Sequence, residues 1–169
     1  MDVRKIETEA QRIVEEELKR TKEKIIANHI AAGQRASGQT EDSMQESVSS
    51  DGGMIIGTLD GRPYFAALET GSGPWKNPHY RQRKDGTLYP SAPKWFINII
   101  EDWAAVKGIA FDSPWAVATK QMMEGSRLFR DGGRDDIFSN EIPELVKRVA
   151  DRLAGLYDAQ LVESILRQS

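Results

Sequence analysis

Apolar and polar positions along this chain form two long helical periods that enclose shorter, mixed patterns. In residues 2–32, Ile6, Ala10, Ile13, Val14, Leu18, Ile25, Ile26 and Ile30 recur at helical spacing, with Glu, Lys and Arg between them. The pattern predicts a first helix ended by Gly33. At about 1.5 Å per residue it would run about 45 Å. That exceeds the needs of a small domain, so part of it is expected to meet a partner or stand in solvent. At the other end, Asn140 can cap a helix from Glu141 to Arg167. Its apolar positions are Ile142, Leu145, Val149, Leu153, Leu156, Leu161, Ile165 and Leu166.

Between these periods the pattern shortens. Thr40 is expected to cap a helical turn through Ser43 and Met44. Gln45–Ser49 and Met54–Leu59 read as strands joined by the turn Asp51-Gly52-Gly53. After Asp60-Gly61 and Pro63, Tyr64–Leu68 reads as a third strand. Residues 71–92 form a long loop in which Lys84-Asp85-Gly86 signals a small protruding hairpin. Pro93 then opens a helix whose Trp95, Phe96, Ile99, Ile100, Trp103 and Val106 make one apolar face, expected to be core. Asp112 or Ser113 caps the next helix, which carries Trp115, Val117, Ala118, Met122 and Leu128 before the pattern breaks over 129–141. The sum is an α+β fold in a single domain, 1–169. Long N- and C-terminal helices (the first over 1–33) and a central helical pair pack on a small antiparallel sheet, with a protruding basic loop over 72–92.

Composition narrows the chemistry. Cysteine is absent, which removes disulfides and thiolate catalysis. With only His29 and His79, a zinc site would need carboxylates for its remaining ligands, so no metal is expected. No apolar run reaches membrane-spanning length, and MDVRKIETEAQ lacks a signal-peptide core, so cytosol-like conditions are expected. The net charge of −3 leaves no global nucleic-acid footprint. Its distribution says more. Glu41, Asp42, Glu46, Asp51, Asp60 and Glu69 stand against Arg62 alone in residues 37–70. Lys76, Arg81, Arg83, Lys84 and Lys94 stand against Asp85 alone in residues 72–94. Either these are complementary surfaces within or between copies, or they are ordinary solvated charge.

The segment LETGSGPWK, 68–76, poses the central question. A phosphate loop needs G-x-x-x-x-G-K-[ST] between strand and helix, and Gly71, Gly73 and Lys76 have the wrong spacing. Pro74 also removes a backbone donor. Neither histidine has a nucleophile motif around it. Asp131, Asp135 and Asp136 lack the alternating spacing of a calcium loop. No catalytic, cofactor-binding or metal-ligating residue is therefore assigned. The remaining alternatives are structural. Gly71, Gly73, Pro74 and Trp75, with Glu69 accepting hydrogen bonds, specify a shaped joint from which a tongue emerges, or they make a tight turn with Trp75 in the core.

Three stretches together resemble the head–tail joining or tail-completion family of tailed bacteriophages and prophages. They are SGQTEDSM at 37–44, RPYFAALETGSGP at 62–74 and PKWFINIIEDWAAVKGI at 93–109. GGRDDIFSNE at 132–141 is similar to the late part of related prophage proteins. Ser37, Gly38, Thr40 and Ser43 match the first family motif; Tyr64, Phe65, Leu68, Glu69, Gly71, Gly73 and Pro74 match the second. The resemblance covers about residues 35–141. The long 75–92 segment and the long terminal helices depart from the commoner pattern. What it implies is a non-enzymatic α+β subunit of the virion, present in host cytoplasm during assembly. It would form a homo-oligomeric ring at the neck, between connector or portal-side proteins and tail-side proteins. In the family the matched positions shape the subunit. Glu41, Asp42 and Glu69, with Trp75, Lys76, Arg81, Arg83 and Lys84, are then the candidate interface residues. The alternative is a nucleic-acid-binding module. Lys76, Arg81, Arg83 and Lys84 interleave with Tyr80 and Tyr89 in the basic 76–94 loop, which could contact genomic DNA without sequence preference.

Overall fold

The computed structural model describes residues 3–166, with no account of the side chains of Val3 and residues 163–165. Asp2 and Arg167, assigned to the terminal helices from the sequence, and the Ile165 side chain lie outside the described residues. The fold is helix-rich α+β with long helices at both ends. Contacts divide it into two compact units. One holds the segments up to 33, 40–63 and from 135 onward; the other holds 34–39 and 64–134.

In the first unit, α1 (Val3–Ala31) buries Ile6, Ala10, Ile13, Leu18, Thr21, Ile25 and His29 on one stripe. That stripe runs almost end to end, which corrects the expectation that part of the helix stands clear of its own domain. The reason is its two partners. On one side lies α7 (Glu141–Leu166), on another the hairpin of β1 (Gln45–Asp51) and β2 (Met54–Asp60). Asn28 and Lys24 meet Glu141, while Glu17 and Glu16 meet Arg148 and Arg152, so α1 and α7 run antiparallel. The β1–β2 register pairs Val48 with Gly57 and Ser50 with Ile55 around the turn at Gly52-Gly53. Gly57 sits beneath α1. A Cβ there would lie 2.6 Å from Val14 Cγ1 and 2.9 Å from Leu18 Cδ1, so the missing side chain sets how closely helix and sheet approach. α1 thus covers the sheet, as expected of a long terminal helix.

Among the described residues no third strand joins this sheet. Tyr64–Ala66 forms a turn that runs into α3 (Ala67–Thr70), with Ala67, Leu68 and Glu69 N–H groups donating to the Tyr64, Phe65 and Ala66 carbonyls. The strand expectation fails because Ala-Ala-Leu-Glu is a run of strong helix formers, and Pro63 cannot donate to a ladder.

In the second unit, α4 (Lys94–Lys107) packs on α5 (Pro114–Glu124) through Ala92, Phe96, Ile100, Ala118 and Met122. Ser113 is the cap of α5: its hydroxyl accepts from Ala116 N–H at 3.3 Å, with Pro114 in the first turn. The aromatic face of α4 is only half core. Phe96, Ile100 and Ala104 point inward, four residues apart. Trp95, Ile99, Trp103 and Val106 are exposed. The first three each precede an inward position by one residue, a rotation of about 100° around the helix. Ile99 and Trp103 of this second face, together with Phe96, Ile100, Phe111 and Val117, line a groove of about 690 Å³. The helix α5 also ends earlier than expected, at Glu124, and Leu128 belongs to a separate turn, α6 (Arg127–Arg130).

Candidate functional site

The LETGSGPW segment is built against the α5–α6 corner, within the second unit. Ser126 organises it. Its hydroxyl accepts from Ser72 N–H at 2.9 Å and from Phe129 N–H at 3.3 Å, while its own N–H donates to the Ser72 carbonyl at 2.7 Å. This exchange pulls two backbones together and explains Gly71. Gly71 has φ 68° and ψ 179°, a region that glycine alone occupies readily. A Cβ on it would lie 2.4 Å from Phe129 N and 2.6 Å from Ser126 Oγ. Gly73 lies against the Phe129 ring. Two residues on, Trp75 N–H donates to the Met122 carbonyl at 2.9 Å, and its ring stacks on Trp95 with centroids 5.4 Å apart. Both structural readings of the segment therefore hold in part: it is a shaped joint, and Trp75 is half-buried against the α4 core.

A hairpin emerges from this joint, as the Lys84-Asp85-Gly86 signal predicts. β3 (Tyr80–Gln82) pairs antiparallel with β4 (Leu88–Pro90). Asp85 closes the turn: one carboxylate oxygen accepts from Thr87 Oγ1 at 2.7 Å and Thr87 N–H at 2.9 Å. Those bonds, the hydroxyl's first, hold the Asp85 carboxyl below its usual range. The base of the hairpin is tied to α5. His79 N–H donates to Met122 Sδ at 3.3 Å, Ala92 N–H donates to Thr119 Oγ1 at 3.0 Å, and Trp115 Nε1–H donates to Ser91 Oγ at 3.0 Å. His79 Nδ1 lies 2.8 Å from the Ser91 carbonyl, which can only accept, so the proton is on Nδ1. Lys76, Arg81, Arg83 and Lys84 are all exposed, and the Arg83 guanidinium sits 5.3 Å from the centroid of the Tyr89 ring.

The acidic partners are placed differently. Glu69 is 3% exposed, an interior residue of the joint rather than an interface carboxylate. Glu41 is turned inward, where buried His29 donates from Nδ1 at 3.2 Å. Glu46 pairs with Lys22. Of the six acids, Asp42, Asp51 and Asp60 remain exposed, so the acidic surface is about half of what the sequence displays. The loss of Glu41 and Glu46 follows from α1, whose C-terminal half supplies His29 and Lys22. Tyr64 is exposed and Gly38 buried. Ser37 accepts from Gln39 N–H at 3.5 Å at the start of α2 (Gln39–Asp42); Thr40, expected as the cap, lies inside this turn, its carbonyl accepting from Ser43 Oγ.

A shallow recess of about 480 Å³ adjoins the joint, lined by Glu69, Gly71, Phe129, Gly133 and Arg134 among others. Five backbone donors in or beside it are already engaged. Gly71 N–H donates to the Ala67 carbonyl, Ser72 N–H to Ser126 Oγ, Gly132 N–H to the Phe129 carbonyl, Gly133 N–H to the Leu128 carbonyl and Arg134 N–H to the Glu69 carbonyl. A phosphate at this bend would have to displace those bonds. Among the described residues no three His, Asp or Glu side chains are grouped to hold a metal ion. No helix among them is long and apolar enough to cross a membrane.

Ser126 and Phe129, the residues around which the joint is built, were missed from the sequence. Their signal was present: Gly125 as a helix stop followed at once by Ser126 as a cap. The chain matches no protein-family model, no curated protein and no solved structure.

Proposed function

We propose that this chain is a structural subunit of a tailed-bacteriophage particle, forming a ring at the neck or tail-completion junction. The observation that carries the proposal is the fate of the RPYFAALETGSGP motif. The motif's Glu69, Gly71 and Gly73 lie in or against one joint, and that joint anchors an exposed basic hairpin at its base. This is what a part that works by outline requires: rigid placement of a projecting element, with bonding capacity spent internally. In a ring each copy would present different surfaces to its two neighbours. Removing the gene from an inducible phage and imaging the lysate tests this. Separate heads and tails, rejoined when the protein is supplied, are expected; intact infectious particles without it would reject the proposal.

The hairpin also supports a second role, contact with the nucleic-acid backbone. Its exposed Arg81, Arg83 and Lys84, with Lys76 in the segment leading into it, and the Arg83–Tyr89 stack are the elements such a surface uses. Each duplex phosphate neutralised contributes about −0.9 to the slope of log affinity against log salt. Replacing Lys76, Arg81, Arg83 and Lys84 with Gln should therefore flatten that slope by up to about 3.6 in a DNA-binding titration. An unchanged slope would remove the hairpin from any nucleic-acid contact.

A further inference from the structure

The helix α7 carries more apolar surface than its own unit covers. Arg148, Val149 and Arg152 are among its partly buried positions, Glu141 is buried, and Glu141, Arg148 and Arg152 all bond to α1. Beside that face runs a second stripe of Ile142, Val146, Ala150, Leu153, Tyr157 and Leu161, at steps of four, four, three, four and four. Leu153 is half-buried; Val146 is 63% exposed and Tyr157 54% exposed. Such a stripe normally faces a protein surface.

The spacing of the stripe says which surface. It is symmetric about a point between Asp151 and Arg152. Laid antiparallel on a second copy, Ile142 faces Leu161, Val146 faces Tyr157 and Ala150 faces Leu153, each large side chain opposite one of complementary size. Lys147 and Asp158 both lie on the flank of the stripe away from α1. A two-fold axis between the helices brings Lys147 of one copy beside Asp158 of the other, and does so twice. In a parallel pair the same flank of the two copies falls on opposite sides of the seam, with Lys147 and Asp158 about 16 Å apart in height, and this charge pairing is lost. We infer that α7 is a homodimerisation helix that pairs antiparallel with α7 of a second copy of this chain. Isologous pairing uses one patch on both partners. It uses none of the hairpin's bases and none of Asp42, Asp51 and Asp60, and it stands independently of residence in a virion.

The absence of cysteine makes the register directly testable. Single Cys variants are treated with a short bismaleimide. Ala150→Cys copies should cross-link to one another, because the symmetric pair places them beside the axis. Ile142→Cys copies should not, being ~28 Å apart along the paired helices, but should cross-link to Leu161→Cys when the two are mixed. Sedimentation equilibrium should give twice 18.9 kDa for the unaltered chain and 18.9 kDa for Val146→Glu at the same concentration. Val146 is exposed, so that variant should retain the parent's helical circular dichroism. Lys147→Asp should weaken the pair and Lys147→Asp with Asp158→Lys should restore it. A monomer at every concentration, self-linking of Ile142→Cys, or a dimer indifferent to Val146→Glu would each overturn the assignment.

Discussion

Gly71→Ala is expected to cost about 3 kcal/mol or more of unfolding free energy, from two contributions acting together. The backbone at Gly71 has φ 68° and ψ 179°, where a side chain costs roughly 1–3 kcal/mol. The added methyl would also lie 2.4 Å from a backbone nitrogen, that of Phe129, which no side-chain rotation relieves. Gly53→Ala separates the two contributions. Gly53 has φ 84° with nothing within 4 Å of its Cβ position, so only the backbone cost of about 1–2 kcal/mol remains. Tryptophan fluorescence during urea unfolding is the appropriate readout for Gly71→Ala, because all four tryptophans lie between residues 75 and 115, in the unit that holds the joint. Helical circular dichroism follows Gly53→Ala. Equal losses for the two variants would mean that the close approach of the two backbones contributes nothing.

Arg148→Ala should destabilise the other unit by about 2–3 kcal/mol. The Glu17 side chain is 5% exposed and accepts from Arg148 Nε at 2.7 Å and Arg152 Nη1 at 2.9 Å. Arg148 also donates to Thr21 Oγ1 at 2.8 Å, in a site with no solvent access to Thr21. Removing Arg148 leaves a buried carboxylate with one partner fewer and a buried hydroxyl without this donor. Replacing both Glu17 and Arg148 with Met should cost less than Arg148→Ala, since no buried charge is then left behind. Acidification provides an independent arm. Burial pushes the Glu17 carboxyl up, but Arg148 and Arg152 together outweigh it and hold the group below its ordinary 4.5. The folded protein therefore binds fewer protons there than the unfolded chain. Its contribution is complete above about pH 4.5 and is lost as pH falls through the folded value. In Arg148→Ala burial is less opposed, the carboxyl rises, and this part of the acid sensitivity should shrink. Circular dichroism, dominated by α1 and α7, follows both arms. A single variant no weaker than the parent, or a double Met variant weaker than Arg148→Ala, would refute the argument.

These two sites show what the linear pattern does and does not contain. The stripe of α1, the β1–β2 turn, the Ser113-Pro114 cap and the hairpin over 80–90 were legible because each is set by local spacing or by a turn residue's own preference. Tyr64–Leu68 misled because apolar residues after a proline suit a strand and a short helix equally, and the helix-forming run decided it. The face of α4 divided because α5 covers only one side of it, which periodicity on a single helix cannot reveal. Glu41 and Glu69 looked like surface charge because their inward placement depends on His29 and on the joint, both distant in sequence or built by folding. The glycine segment was recognisable as special. What made it so, the Ser126 and Phe129 backbone 54 or more positions away, is a tertiary contact.

The central claim is that this polypeptide acts as a fitted part of a phage particle. Quantitative mass spectrometry of particles purified to constant density, from the strain that carries the gene, tests it most directly. The account predicts the chain at a fixed ratio to the other neck proteins and in several copies per particle. Its absence from such particles, with the other neck proteins present, would contradict it.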